Sequence, residues 1–175
     1  KWECEVVSNH NVATFIKEFV VKLPEGEHLH FKSGGYIQVD VPVCTVDYKD
    51  IDVDPEYRED WEKMGVFDLK MVNPVPAIRA YSMACYPAEG DIIKLNVRIA
   101  TPPVDRATKK FLPVNPGVCS SYIYSLKPGD KVIRRRRSRY GSYEKPHHAS
   151  VQDREDKDEG QLLLWGTQPE GSFLS

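Results

Sequence analysis

Short stretches of alternating apolar and polar residues, parted by turn-forming clusters, recur along most of the chain and constrain it to an antiparallel β architecture. Trp2 to Val7 alternates, and Thr14 to Leu23 is rich in Phe, Ile and Val. Ser8-Asn9-His10-Asn11 between them has the composition of a turn joining two strands. Gly34-Gly35 opens a third strand, Tyr36 to Val41. Val66 to Val72 is a further strand, broken by Pro74 and Pro76 before Ile78 to Ala84 begins. After the turn Tyr86-Pro87-Ala88-Glu89-Gly90-Asp91, Ile92 to Ala100 is expected to pair with the Ile78 segment as a hairpin. Lys127-Pro128-Gly129-Asp130 turns the chain into a last strand around Val132. Many short strands and frequent turns describe an all-β barrel or sandwich.

A chain of 175 residues with 41% hydrophobic content is long enough to bury a core, as one domain and a tail. Its net charge of -2 exerts no global pull toward nucleic acid or anionic lipid. Cys4, Cys44, Cys85 and Cys119 are widely spaced and lack a Cys-x-x-Cys, so they are expected to be reduced thiols facing a cytosolic compartment. No apolar run approaches the roughly 18 residues of a membrane span. The chain starts at Lys1 without a methionine, as a piece of a longer protein would. His28 and His30 lack a third ligand nearby and fit a solvated strand edge better than a metal site.

Two regions differ from the rest. Residues 42–68 are acidic and aromatic, with a short helix expected after Asp54 and Pro55 at its first position. They look like an insertion between barrel strands, a solvated helix whose acidic face could alternatively dock a partner. Residues 134–175 hold a basic cluster, the acidic block Asp153 to Glu159, and then Leu162-Leu163-Leu164-Trp165. Such a tail fits disorder or an altered terminus. Nucleic-acid binding is not expected, because no aromatic platform is interleaved and the acidic block competes for the same charges.

The chemistry concentrates in Ala77-Ile78-Arg79-Ala80-Tyr81-Ser82-Met83-Ala84. Arg79 offers a planar fork of donors matched to phosphate. Tyr81 offers a flat ring with a polar tip, and Ser82 a small hydroxyl. Together they suit a ligand that is part aromatic ring and part diphosphate, although an ordinary strand with one exposed arginine fits the same residues. A second stretch, Gly117-Val118-Cys119-Ser120-Ser121, is either an ordinary helix start or a place where backbone N–H groups approach phosphate oxygens. Period-two alternation puts Arg79 and Tyr81 on one face and Ser82 on the other. For all three to touch one ligand, the strand must bend or end near Ser82.

These two stretches, in this order and with Leu95-Asn96-Val97-Arg98 between them, resemble the flavin domain of the ferredoxin-NADP reductase superfamily. Lys1 to Val6, Ala13 to Glu18, Gly34 to Gln38 and Leu95 to Pro103 bring the resemblance closer to the flavin-bearing F subunits of sodium-translocating NADH:quinone oxidoreductases. The resemblance runs from Lys1 to about Val132. It implies a six-stranded antiparallel Greek-key barrel with one short helix over residues 1–133, binding FAD across one end. By it, Arg79 holds the pyrophosphate, Ala80 beside it belongs to the cofactor-binding set, and Tyr81 covers or flanks the isoalloxazine. Ser82 hydrogen-bonds near N5, which with Tyr81 makes it the catalytic pair. Asn96, Val97 and Arg98 serve the ribityl chain and adenylate, while Gly117, Val118, Cys119, Ser120 and Ser121 form the pyrophosphate-binding helix start. No metal is implied at this site.

The resemblance further implies hydride transfer from NADH, held by a domain for which this chain shows no Gly-x-Gly-x-x-Gly, and single-electron transfer to a [2Fe-2S] centre in a ferredoxin-like domain outside the chain. The partners would be those domains and the other subunits of a quinone reductase complex coupled to sodium transport. That complex would lie at the cytoplasmic face of a bacterial inner membrane, tethered through a segment not present here. The isolated fragment is not expected to be active with NADH. Two alternatives stay open: the flavin domain of an oxygenase-type ferredoxin reductase, and a non-enzymatic β-barrel interaction module.

Overall fold

The computed structural model describes residues 1–135 except residue 33. In chain order they form β1 (Trp2–Ala13), β2 (Ile16–Lys22), β3 (Tyr36–Val41), β4 (Cys44–Asp47), α1 (Pro55–Lys63), β5 (Lys70–Asn73), β6 (Ala77–Ser82), β7 (Ile92–Arg98), α2 (Val118–Ser125) and β8 (Lys131–Arg135). Six strands make one antiparallel sheet in the order β6-β3-β8-β1-β2-β7, and β4 and β5 make a separate two-stranded ribbon. The alternation read from the sequence builds one buried face: Ile37, Val39 and Val41 on β3, Phe19 and Val21 on β2, and Ile93, Leu95 and Val97 on β7 all point into the core. The expected all-β, six-stranded antiparallel class is therefore what the chain adopts.

Closure into a barrel is not. β6 and β7 stand at opposite ends of the strand order with no ladder between them. β6 stops at Ser82, and the next two residues divide their bonds, Met83 N–H to Gly35 O (3.0 Å) and Ala84 N–H to Lys94 O (2.7 Å), so the two edges meet at a point. The expected hairpin between the Ile78 and Ile92 segments is likewise replaced. β7 pairs along seven positions with β2, where Val97, Leu95 and Ile93 stand opposite Lys17, Phe19 and Val21 and extend one apolar face.

Other boundaries move for identifiable reasons. Ser8 to Asn11 is not a turn: β1 continues to Ala13, and the chain reverses at Thr14-Phe15. The asparagines are accommodated because their side chains find backbone partners. The Asn9 amide donates to Ile123 O (2.7 Å) and Leu126 O (2.8 Å), while Asn11 N–H donates to the Asp54 carboxylate and the Asn11 side-chain oxygen accepts from Asp54 N–H. Val66 to Val72 divides into a single 3-10 turn, Val66–Asp68, and the short β5. Two α-helices occur among the described residues, where one short helix is implied by the resemblance. His28 and His30 lie outside any strand; His28 pairs with the exposed Asp91 (2.6 Å), and no group of three or more metal-ligating side chains occurs among the described residues. No described helix is long and apolar enough to cross a membrane.

Residues 42–68 share the main core. α1 begins with Pro55 at its first position, as expected, and is mostly exposed, yet it buries Trp61 completely. The Trp61 indole N–H donates to Thr14 O (2.6 Å), and the ring stacks on Tyr124 of α2 at 6.0 Å with Phe67 at 5.4 Å. Lys17, also buried, donates to Asp52 O and stands over the Tyr124 ring at 5.3 Å. The tail read from the sequence lies outside the described residues except at its start, where Arg134 and Arg135 continue β8 and the Arg134 guanidinium lies 4.0 Å over the Trp2 ring.

Burial of so many phenols fixes the response to alkali. Burial raises the Tyr48 hydroxyl to about 12 and also raises Tyr81, Tyr122 and Tyr124. Tyrosines in the unfolded chain release their protons near about pH 10. The unfolded state then binds fewer protons than the folded one, so stability is full below that pH and falls as pH rises toward about 12. Lys17, lowered by burial, works in the opposite sense but is one group against four. The urea unfolding midpoint should drop steeply from about pH 10 upward; a midpoint that rises or stays flat there would show these phenols to be solvated.

Candidate functional site

β6 is an edge strand, so one side of it is open. Arg79 pairs with Val39 and Tyr81 with Ile37, and cross-strand partners share a face, so both side chains stand on the face where Val39 and Ile37 are buried. Ala80 and Ser82 stand on the opposite face, opposite Gln38 and Tyr36. Because β6 ends at Ser82, the serine hydroxyl sits exposed where the strand gives way to the Met83-Ala84 crossing. Of the two ways by which all three side chains could reach one ligand, a bend or an end near Ser82, the strand shows the second.

α2 packs against β3, β4, β5, β6 and β7 and starts at Gly117, which supplies no side-chain cap for the first-turn N–H groups. Its serines turn inward. Ser121 Oγ donates to Gly117 O (2.7 Å), and Ser120 Oγ donates to the same carbonyl (3.1 Å) while accepting from Ala100 N–H (3.1 Å). Both are buried, so their hydroxyls hold the turn, while Val118 beside them is half-buried. Gly117 is required by packing. A Cβ there would lie 2.6 Å from Ala100 Cβ and 2.9 Å from Ser120 Oγ, while Gly117 N–H donates to Ala100 O (2.8 Å).

Electrostatics join strand and helix. Burial pushes the Cys119 thiol up, and the Arg79 charge pulls it partly back. Burial pushes the Tyr81 phenol well up, nearby Cys119 adds to the rise, and Arg79 offsets it. Arg79, Tyr81 and the first turn of α2 therefore lie within one another's electrostatic reach. The Arg79 guanidinium is exposed, donates to its neighbour Ile78 O (2.8 Å), and forms no ion pair with a carboxylate among the described residues. A raised, buried thiol at Cys119 is a packing group and a poor nucleophile.

Asn96, Val97 and Arg98 are placed differently. They lie on β7, at the other end of the strand order, with Val97 buried in the core and Asn96 and Arg98 exposed on the outward face. α2 also touches β7, and the Ala84 to Lys94 bond brings the two edges together. A separate cleft of about 610 Å³, rimmed by Glu3, Glu5, Lys22, Glu25, Asp91 and Lys131, contains none of the residues singled out from the sequence.

Three residues around the site escape sequence reading. Tyr48 hydrogen-bonds Ser121 Oγ at 2.7 Å, Trp61 supports α2 through Tyr124, and the Asn115 side chain bonds both the N–H and the carbonyl of Val72 at 2.9 Å each. The loop of residues 104–116 is held by that amide, by a bridge between Val104 and Phe111, and by Asp105 Oδ1, which accepts from Ala107 and Thr108 N–H. The available signal was aromatic residues in an otherwise charged stretch, which have no reason to be there unless buried.

Gly117→Ala should destabilise the fold by about 1–3 kcal/mol through overpacking against Ala100. Adding Ala100→Gly should recover part of the loss in a double-mutant cycle measured by urea unfolding. A neutral single substitution would refute the close packing of the helix start.

Comparison with known proteins agrees with the motifs. No family model matches the chain. The F subunit of the Na(+)-translocating NADH-quinone reductase of Methylococcus capsulatus is 56% identical over 132 residues, covering 75% of this chain and 31% of the relative. The protein of the same name from Yersinia enterocolitica is 55% identical over 133 residues, with 76% and 31% covered, and that from Shewanella putrefaciens is 54% identical over 132 residues, with 75% and 42% covered. Among solved structures, the cytochrome b5 reductase domain of Ulva prolifera nitrate reductase is 17% identical with a TM-score of 0.49, covering 75% of this chain and 38% of that one, a likeness too loose to build on. The chain spans about a third of the length of the relatives it matches first. Along three quarters of its own length, then, this chain resembles part of the F subunit of the Na(+)-translocating NADH-quinone reductase, an oxidoreductase.

Proposed function

We propose that the chain is the FAD-binding part of an NADH:quinone reductase subunit, with the flavin held between the end of β6 and the start of α2. The observation that supports this most directly is the packing of α2 against β6, which brings the Arg79 charge to bear on the first turn of α2 beside Tyr81. A guanidinium without an acidic partner among the described residues, uncapped amides at a helix start and a flat phenol match a ligand with a diphosphate at one end and a ring at the other.

The residues divide the work of holding it. Arg79 and the amides of Val118, Cys119 and Ser120 take the diphosphate. Tyr81 lies against the ring system; burial keeps its phenol protonated through the neutral range, so it donates a hydrogen bond and bears no charge. Ser82, exposed at the strand end, offers its hydroxyl beside the reacting edge of the ring, and Asn96 and Arg98 serve the ribityl and adenylate side. When bound, FAD supplies acceptance of a hydride and release of single electrons. The chain supplies position and electrostatics and needs no acid or base of its own for that transfer.

In the whole protein the hydride would come from NADH held by a further domain, and the electrons would pass to a [2Fe-2S] centre in a ferredoxin-like domain. The assembly would include other subunits coupled to sodium transport at the cytoplasmic face of a bacterial inner membrane.

Titration of FAD followed by flavin fluorescence tests the reading. Arg79→Ala removes a charge-assisted bond and should weaken FAD about tenfold to a hundredfold, whereas Ser82→Ala should stay within about threefold. Equal affinities for the two variants would count against these roles.

A further inference from the structure

Among the described residues the buried hydroxyl of Tyr48 bonds one side chain, Ser121, whose own hydroxyl bonds the carbonyl of Gly117 at the start of α2. Tyr48 lies in the 3-10 turn that follows β4, fully buried, with its oxygen 2.7 Å from Ser121 Oγ. A phenylalanine would fill the same space, so the hydroxyl needs a reason other than packing. Ser121 has one hydroxyl proton and gives it to Gly117 O at 2.7 Å. Tyr48 must therefore donate into the Ser121 oxygen. The result is a directed chain, Tyr48 O–H to Ser121 O–H to Gly117 carbonyl, in which each bond polarises the next.

That carbonyl also accepts from Ser121 N–H (3.0 Å) and Ser120 Oγ (3.1 Å). In a trans peptide the carbonyl and the following N–H point in opposite directions. Pinning Gly117 O into the helix body therefore aims Val118 N–H away from it, as an anion site at a helix start needs.

We propose that Tyr48, a residue of the acidic insertion, is a positioning residue for the diphosphate half of the ligand, acting through Ser121 on the Gly117–Val118 peptide. The assignment rests on the flavin reading above and goes beyond it by giving the insertion a task at that site. Burial, which raises this phenol to about 12, keeps it a donor across the whole neutral range.

Riboflavin lacks the diphosphate and FAD carries it, so the two ligands separate an effect on the helix start from general damage. With the full chain, Tyr48→Phe should weaken FAD about fivefold, the order expected for one lost hydrogen bond, and leave riboflavin unchanged. Ser121→Ala breaks the same chain from its other end and should give the same split, with the double variant no weaker than either single one. The assignment is overturned if FAD binds Tyr48→Phe as tightly as the unsubstituted chain, if both ligands weaken together, or if the two substitutions add. Failure of the unsubstituted chain to bind FAD would overturn the flavin reading first, a result distinct from all three.

Discussion

An eight-residue helix does not persist in water by itself, so the start of α2 is only as fixed as the surfaces that grip it. Tyr124 is stacked on Trp61, Asn9 ties Ile123 O and Leu126 O to β1, Gly117 sits against Ala100, and Ser121 is bonded to Tyr48. Each contact comes from a different part of the chain. The helix start is consequently placed by the whole core, and it carries no side-chain cap of its own.

The insertion gains its meaning from this constraint. Its outward residues are charged, and two i,i+4 pairs on α1, Arg58 with Glu62 and Glu59 with Lys63, lie at the surface where they contribute little. Its inward residues, Tyr48, Trp61, Val66 and Phe67, pack into the same cluster as the sheet. A region set apart by composition is thus continuous with the core in structure.

What could be read beforehand followed from locality. Alternation within β3, β7 and β6 needs only neighbouring residues, and it placed Arg79 and Tyr81 on one face and Ser82 on the other, as the register does. Pairing between distant segments left no local mark. Nothing in Ile92 to Arg98 announces β2 instead of β6 as its partner; that choice depends on matching two apolar faces across the chain. Asn9 and Asn11 suggested a turn because their usual partners are local, and here Asn9 reaches Ile123 and Leu126 while Asn11, besides a local bond to Ala13 O, is tied to the distant Asp54. The inward turn of Ser120 and Ser121 was equally hidden, since a serine at a helix start has the same letter whether it faces a ligand or a carbonyl.

The central claim is that Arg79 and the first turn of α2 form one anion-binding surface next to Tyr81. Backbone amide NMR of the chain during titration with FAD addresses it most directly. The account predicts that the amides of Val118, Cys119 and Ser120 and the Arg79 Nε–H shift together, with one common affinity. Shifts confined to the cleft around Glu5, Lys22 and Lys131, with α2 unmoved, would contradict it.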